Sequence, residues 1–214
     1  MTCFSIDCRR CSRLADFLDD VRAAHPDYYA RPVPSFGDAL PRLLIVGLAP
    51  GMHGANRSGR PFTGDYAGVL LYQTLHKFGF ADRPVSHAAD DGLRLTGCRI
   101  TNAVKCLPPE NKPSGDEIKR CNGFLANEIS ILPKDSILLA LGGIAHKAVL
   151  MATSEKAAVH KFAHGAKHFL ASGVTLFDSY HCSRYNTQTR RLTAAMFEQV
   201  FADIRRLLED PVAG

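Results

Sequence analysis

Two kinds of reactive side chain stand out in this sequence: thiols at metal-ligand spacing, and single polar groups at the ends of apolar runs. Cys8 and Cys11 enclose two residues, and thiolates so spaced reach one metal from a tight turn. A lone Cys-x-x-Cys needs partners. Cys106, after an expected strand, and Cys121, inside an expected helix, offer them, although both would serve equally as small buried apolar residues. Four cysteines accept zinc or an iron–sulfur cluster, and their spacing does not choose between the two. Cys3, Cys98 and Cys182 are read as non-ligands.

The polar candidates begin with Asp65, the only carboxylate in a loop over residues 47–65 that also holds Gly51, Gly54, Gly59 and Gly64. Glycines let a backbone approach a flat or phosphorylated ligand closely. The loop leaves the apolar run 43–46, which reads as a strand buried on both faces, and open α/β sheets bind ligands at the carboxyl ends of their strands. No Gly-Lys-Ser/Thr closes it, and Gly-x-Gly-x-x-Gly is absent, so a nucleotide-phosphate loop loses ground. Phe62 would offer a flat ligand an aromatic face, or sit in the core as phenylalanines commonly do. Asp65 would cap the helix expected over 66–78, or act on a reacting group, or both. Asn102 lies in the strand-like run 99–105, where a buried amide must be paired or costs free energy. Its side-by-side donor and acceptor suit a ring edge, and a turn or cap role is the plainer alternative. His181, at the end of the apolar run 174–177, would stabilise developing negative charge or remain a surface histidine.

The elements that must position these groups are legible as periodic runs. Strands are expected at 43–46, 99–105, 136–141 and 174–177. Helices are expected at 12–24, with Ser12 as N-cap, at 66–78, and from a Ser114/Glu117 capping box to about residue 131. A short one is expected around 146–151 and a last amphipathic one over 189–208. Residues 82–97 read as a loop with one short helix. Strands alternating with helices imply an α/β fold, a three-layer α/β/α sandwich around a central four-stranded parallel sheet. The chain, 214 residues and 46% apolar, fits a single domain over residues 1–214 with an N-terminal Cys-x-x-Cys segment. A net charge of +5 permits a polyanionic partner without requiring one. No run suggests a membrane span or signal peptide, so a cytoplasmic protein is expected, and seven cysteines there argue for reduced thiols. His160, Lys161, His164, Lys167 and His168 read as a solvated basic face or a phosphate contact. The irregular spacing of these histidines and the lack of nearby thiols argue against a second metal site.

Gly-Leu-Ala-Pro-Gly at 47–51, His-Gly-Ala-Asn-Arg at 53–57 and Arg-Pro-Phe-Thr-Gly-Asp at 60–65 resemble the first motif of the uracil-DNA glycosylase superfamily, in particular family 5, the UDGb type. Thr-Asn-Ala-Val-Lys-Cys-Leu-Pro-Pro at 101–109 is similar to a run shared by its cluster-bearing families. The resemblance implies a uracil-DNA glycosylase-like fold and a [4Fe-4S] cluster on Cys8, Cys11, Cys106 and Cys121, structural in role. It implies that Phe62 stacks on a flipped base, that Asn102 reads it, and that Gly47, Leu48, Ala49, Gly51 and His53 belong to the substrate site. Leu48 and Ala49 stand where other families carry an acid or amide. That leaves Asp65 to orient or deprotonate water, with His53 in reserve, and His181 to stabilise charge on uracil O2. The second motif commonly reads His-Pro-Ser before a wedge that enters the duplex, and here Cys182 replaces the proline. Arg184 or Tyr185 would fill the gap in the base stack, while Ser183, Arg190 and Arg191 suit phosphate. The function implied is that of a monomeric, monofunctional DNA glycosylase of base excision repair. It would act on uracil and other deaminated bases such as hypoxanthine flipped from DNA. The alternative is a non-catalytic nucleic-acid-binding module with a structural four-cysteine metal site.

Overall fold

The computed structural model describes residues 4–209, so the expectation for Cys3 lies outside the described residues. In chain order the elements are α1 (Ser12–Ala24), β1 (Phe36–Gly37), β2 (Leu43–Gly47), α2 (Ala55–Ser58), α3 (Tyr66–Lys77), β3 (Cys98–Asn102), α4 (Gly115–Ser130), β4 (Ile137–Leu141), α5 (Gly143–Ala152), β5 (Lys167–Phe169), β6 (Thr175–Ser179), α6 (Arg184–Gln188) and α7 (Ala194–Glu209). They build one sheet in the order β1-β3-β2-β4-β6-β5. β3, β2, β4 and β6 are parallel neighbours at its centre, as expected. The expected four-strand count is corrected to six by β1 and β5, which pair antiparallel at the two edges. At two and three residues they are too short to carry a readable alternation.

The central strands are apolar because both faces are covered. Leu43, Ile45 and Leu139 pack against Leu71 and Leu75 of α3 and Phe197, Phe201 and Ile204 of α7. Leu44, Val46 and Leu138 face the other way, onto Leu125 of α4 and Ala148 and Val149 of α5. The N-terminal helix has its own small core, where Leu14, Leu18 and Val21 meet Val104, Leu107 and Phe124.

Helix ends differ from expectation in places. Cys11, not Ser12, occupies the N-cap of α1 and makes no side-chain cap bond. The capping box of α4 is formed, and Glu117 also accepts both arms of Arg13, Nε at 2.8 Å and Nη2 at 2.7 Å. The helix expected over 189–208 starts only at Ala194, because Arg190 takes a left-handed backbone (φ 57°) and a separate turn, α6, precedes it. Residues 82–97 hold no helix.

That segment is pinned to the central loop by Arg60. Its guanidinium, 5% exposed, donates to Asp91 Oδ1 at 2.7 Å and Ser86 Oγ at 3.0 Å, and lies 4.2 Å over the Phe36 ring. Burial alone would raise the Asp91 carboxyl. Hydrogen bonds from the Leu93 amide, Arg60 and the His87 and Ala88 amides instead hold it well below the usual carboxylate range. A group so depressed stabilises the fold above its unfolded pKa, and the contribution fades as pH falls towards the folded one. Asp91→Ala would leave a buried guanidinium without its anion. We expect chemical denaturation at pH 7 to show a loss of about 3 kcal/mol, and a loss below about 1 kcal/mol would contradict this reading.

Candidate active site

The parallel strands β2, β3 and β6 deliver their last residues to one end of the sheet, and a cavity of about 450 Å³ opens there. Leu48, Ala49 and Gly51 line it from the chain leaving β2, Asn102 from β3, and His181, Ser183 and Arg184 from the chain leaving β6. The central loop adds Ala55, Phe62 and Asp65, α3 adds Tyr66 and Ala67, and the turn after Pro108 adds Asn111.

Phe62 holds its place at a cost, since its backbone is left-handed (φ 57°). The loop around it is clamped by Tyr72, whose hydroxyl donates to Pro61 O at 2.8 Å, and by the Thr63–Ser86 hydroxyl pair at 2.7 Å. Gly47, although outside the cavity wall, is required beneath it, because a Cβ there would overlap both the Phe62 ring and Asn102 Oδ1. Phe62 and His181 stack with centroids 5.8 Å apart and planes at 27°.

Asn102 is 3% exposed and its Oδ1 has no hydrogen-bond partner. An orphaned buried carbonyl costs about 1–3 kcal/mol, a standing offer to a ligand N–H. His181 is also desolvated, and burial lowers its pKa to about 4, so the imidazole is neutral at physiological pH and Nδ1 lies buried and unpaired. Its loop is tied by Asn186 Nδ2, which donates to His181 O at 2.8 Å, and by Cys182, fully buried where the family motif has proline.

Asp65 sits at the N-cap of α3 but makes no cap bond to it. Its Oδ2 instead accepts the Ala55 amide at 3.1 Å. A Cβ at Gly54 would overlap the Asp65 carboxylate, and one at Gly51 would press on it, so these glycines admit the acid into its niche. Burial raises the pKa of Asp65, against the lowering effects of the Ala55 hydrogen bond and the charge of His53.

His53 is not brought to the cavity. It is exposed and its Nδ1 pairs with Tyr28 Oη at 2.8 Å. Ser183 reaches the rim, yet its Oγ caps α6 by accepting the Asn186 amide at 3.4 Å. Arg184 lies 5.3 Å over the Tyr66 ring at the rim. Tyr185 and Arg190 stand outside the cavity wall, both exposed, Tyr185 at 70%. Sequence reasoning missed Tyr66, Ala67, Ala55 and Asn111. Tyr66 directly follows Asp65 and could have been noticed, whereas nothing local marks Asn111.

Cys8, Cys11, Cys106 and Cys121 converge on a second, smaller cavity with Arg10, Lys105 and Arg120. All four are free thiols. Burial first, then neighbouring thiolates, pushes Cys106 up to about 12, and burial pushes Cys121 up to about 11 against the Lys105 amide at 3.3 Å from its Sγ. Such a set calls for a cation to hold it deprotonated. Four thiols gathered in this way are a donor set that zinc and an iron–sulfur cluster both accept. Cys98 and Cys182 are buried elsewhere, in the core under α3 and α7.

A cavity at the carboxyl ends of parallel strands, with an aromatic face, an unpaired amide oxygen, a neutral imidazole and a half-buried acid, defines an α/β protein whose cavity suits a flat, hydrogen-bonding ring. Comparison with known proteins agrees. The model for the Uracil DNA glycosylase superfamily matches residues 34–205. A type-5 uracil-DNA glycosylase of Thermus thermophilus is 46% identical over 205 residues, spanning 94% of this chain and 93% of that protein. One from Mycobacterium leprae is 43% identical, spanning 94% and 91%, and one from Pyrobaculum aerophilum is 37% identical, spanning 96% and 89%. The chain belongs to the uracil-DNA glycosylase superfamily, in its type-5 family.

A depressed histidine pKa means that the unfolded chain binds the proton first, so stability is lost as pH falls from the unfolded value near 6.5 towards about 4. NMR titration should place the His181 midpoint near 4. A midpoint near 6.5 would show that the ring is solvated.

Proposed function

We propose that this protein is a monofunctional uracil-DNA glycosylase of base excision repair, acting as a monomer in the cytoplasm, with residues 1–214 forming one domain. The observation that carries the reading is the unpaired Oδ1 of Asn102 beside the Phe62 shelf. Uracil presents an N3–H to such an oxygen and O4 to the amide nitrogen, while its ring lies on Phe62. The base enters flipped from DNA, and Arg184, at the rim, and Tyr185, exposed beyond it, would contact the strand it leaves.

Water is the nucleophile in bond breaking. The C1′–N1 pair departs with the base, where His181 donates a hydrogen bond as charge gathers on uracil O2. A neutral ring donates without having to give up a proton. The sugar's developing positive charge is met by Asp65, which orients the water and takes its proton as the new C1′–O bond forms. A raised Asp65 pKa favours that last step, and other deaminated bases such as hypoxanthine fit the same flat cavity.

A [4Fe-4S] cluster would be held by Cys8, Cys11, Cys106 and Cys121. When bound it supplies cross-linking of the N-terminal segment to α4 and no electron to the hydrolysis.

Duplex DNA with one uracil opposite guanine should give an abasic site, cut only after hot alkali. Asp65→Asn and Asn102→Ala should each slow single-turnover excision about 100-fold or more while the protein stays folded. An uncut strand with wild-type protein would favour the non-catalytic binding module instead. Purified protein should carry iron and inorganic sulfide, and Cys121→Ala should abolish both. Iron retained in that variant would remove Cys121 from the ligand set.

A further inference from the structure

We propose that His146, His168 and Asp178 bind a divalent transition-metal ion, zinc by donor preference, at a site separate from the cysteines and from the base-binding cavity. Among the described residues this is the one group in which three ligand atoms lie within 4.8 Å of one another. Asp178 on β6 is fully buried, His146 on α5 is 2% exposed, and the His168 side chain on edge strand β5 is 11% exposed. Asp178 Oδ1 lies 2.7 Å from His146 Nδ1, and Oδ2 lies 3.0 Å from His168 Nε2.

Two imidazoles and a carboxylate are a zinc donor set that leaves a fourth position for water. Its outer contact is already in place. The other nitrogen of His146, Nε2, donates to the His160 carbonyl at 2.9 Å, the bond that fixes the tautomer of a metal-bound imidazole and turns Nδ1 towards the ion. His146 faces two groups that only accept, a carboxylate and a carbonyl, so without an ion it must carry a proton on both ring nitrogens, and a divalent ion would take the place of the proton on Nδ1.

Access lies past β5. Its two other residues, Lys167 and Phe169, are exposed, and His168 between them is the half-open side of the group. Around zinc, ligand atoms stand about 3.3 Å apart, so the 2.7 Å and 3.0 Å contacts to Asp178 need lengthen by only about half an ångström. None of the three lines the base-binding cavity, which makes the ion a staple joining edge strand, sheet and α5. The sequence argument against a second metal site weighed only histidines 160, 164 and 168. The partners of His168 are His146 on α5 and Asp178 on β6, ten residues further along the chain.

As-purified protein, stripped of loose metal with a chelator, would be titrated with Zn²⁺ by calorimetry, with bound zinc counted by elemental analysis. His168→Gln, at the surface edge of the group, is the test variant, and His168→Cys replaces one zinc ligand by another. The wild type and His168→Cys should each take up one more zinc per chain than His168→Gln. Their thermal midpoints should rise with Zn²⁺ while that of His168→Gln does not. Uracil excision and iron content, equal in all three, would show that each variant is folded and that the cysteine site is undisturbed. Equal zinc uptake in wild type and His168→Gln, or no uptake by the wild type, would overturn the proposal.

Discussion

A parallel sheet buried on both faces has little room for polar chemistry along its strands. All five residues of β2 and all five of β4 are buried, and their side chains alternate between two apolar cores. Most of the polar chemistry is therefore displaced to where the strands stop, with Asp178 of β6 the exception, held by His146 and His168. Asn102 is the last residue of β3, His181 lies two residues beyond β6, and the loop after β2 carries the rest. The register of the central strands sets the spacing of the site, because Gly47 pairs with Asn102 directly across the β2–β3 ladder.

That register would be wasted if the long loop after β2 were slack. It is instead folded back on itself by contacts that share few atoms with the cavity. Arg60 reaches Asp91, Tyr72 reaches Pro61, and Asp65 turns away from its own helix to take the Ala55 amide. The strained Phe62 backbone stands between these anchors. Strain of this kind persists only where surrounding contacts over-determine the conformation, and here they do so from both sides.

Much of this was legible in the sequence, and what was not has physical causes. The central strands were readable as apolar runs, and the capping box of α4 announced its helix start by two residues three apart. Leu48, Ala49, Gly51, Phe62, Asp65, Asn102 and His181 could be brought to one cavity because motif residues follow strand ends. His53 was misplaced because a histidine inside a motif says nothing of which way its ring turns, and Tyr28, twenty-five residues upstream, decided that. The edge strands were too short to show a period. Asn111 enters the wall through a turn containing two left-handed residues, Glu110 and Asn111, neither of them glycine. The direction of Asp65 was hidden for a related reason: the space for its carboxylate is made by the absence of side chains at Gly51 and Gly54, and absence has no periodicity.

The paired bonds from Arg13 to Glu117 join residues 104 apart, the start of α1 to the start of α4. Closing so long a loop has an entropy cost that grows with the logarithm of its length, and the Arg13–Glu117 pair is one of the contacts that offset it. Cys11 stands beside one end of this tie and Cys121 one turn beyond the other. The tie thus brings the segments that carry thiols at both ends of the loop together by protein contacts, where small zinc domains rely on metal to gather their chain.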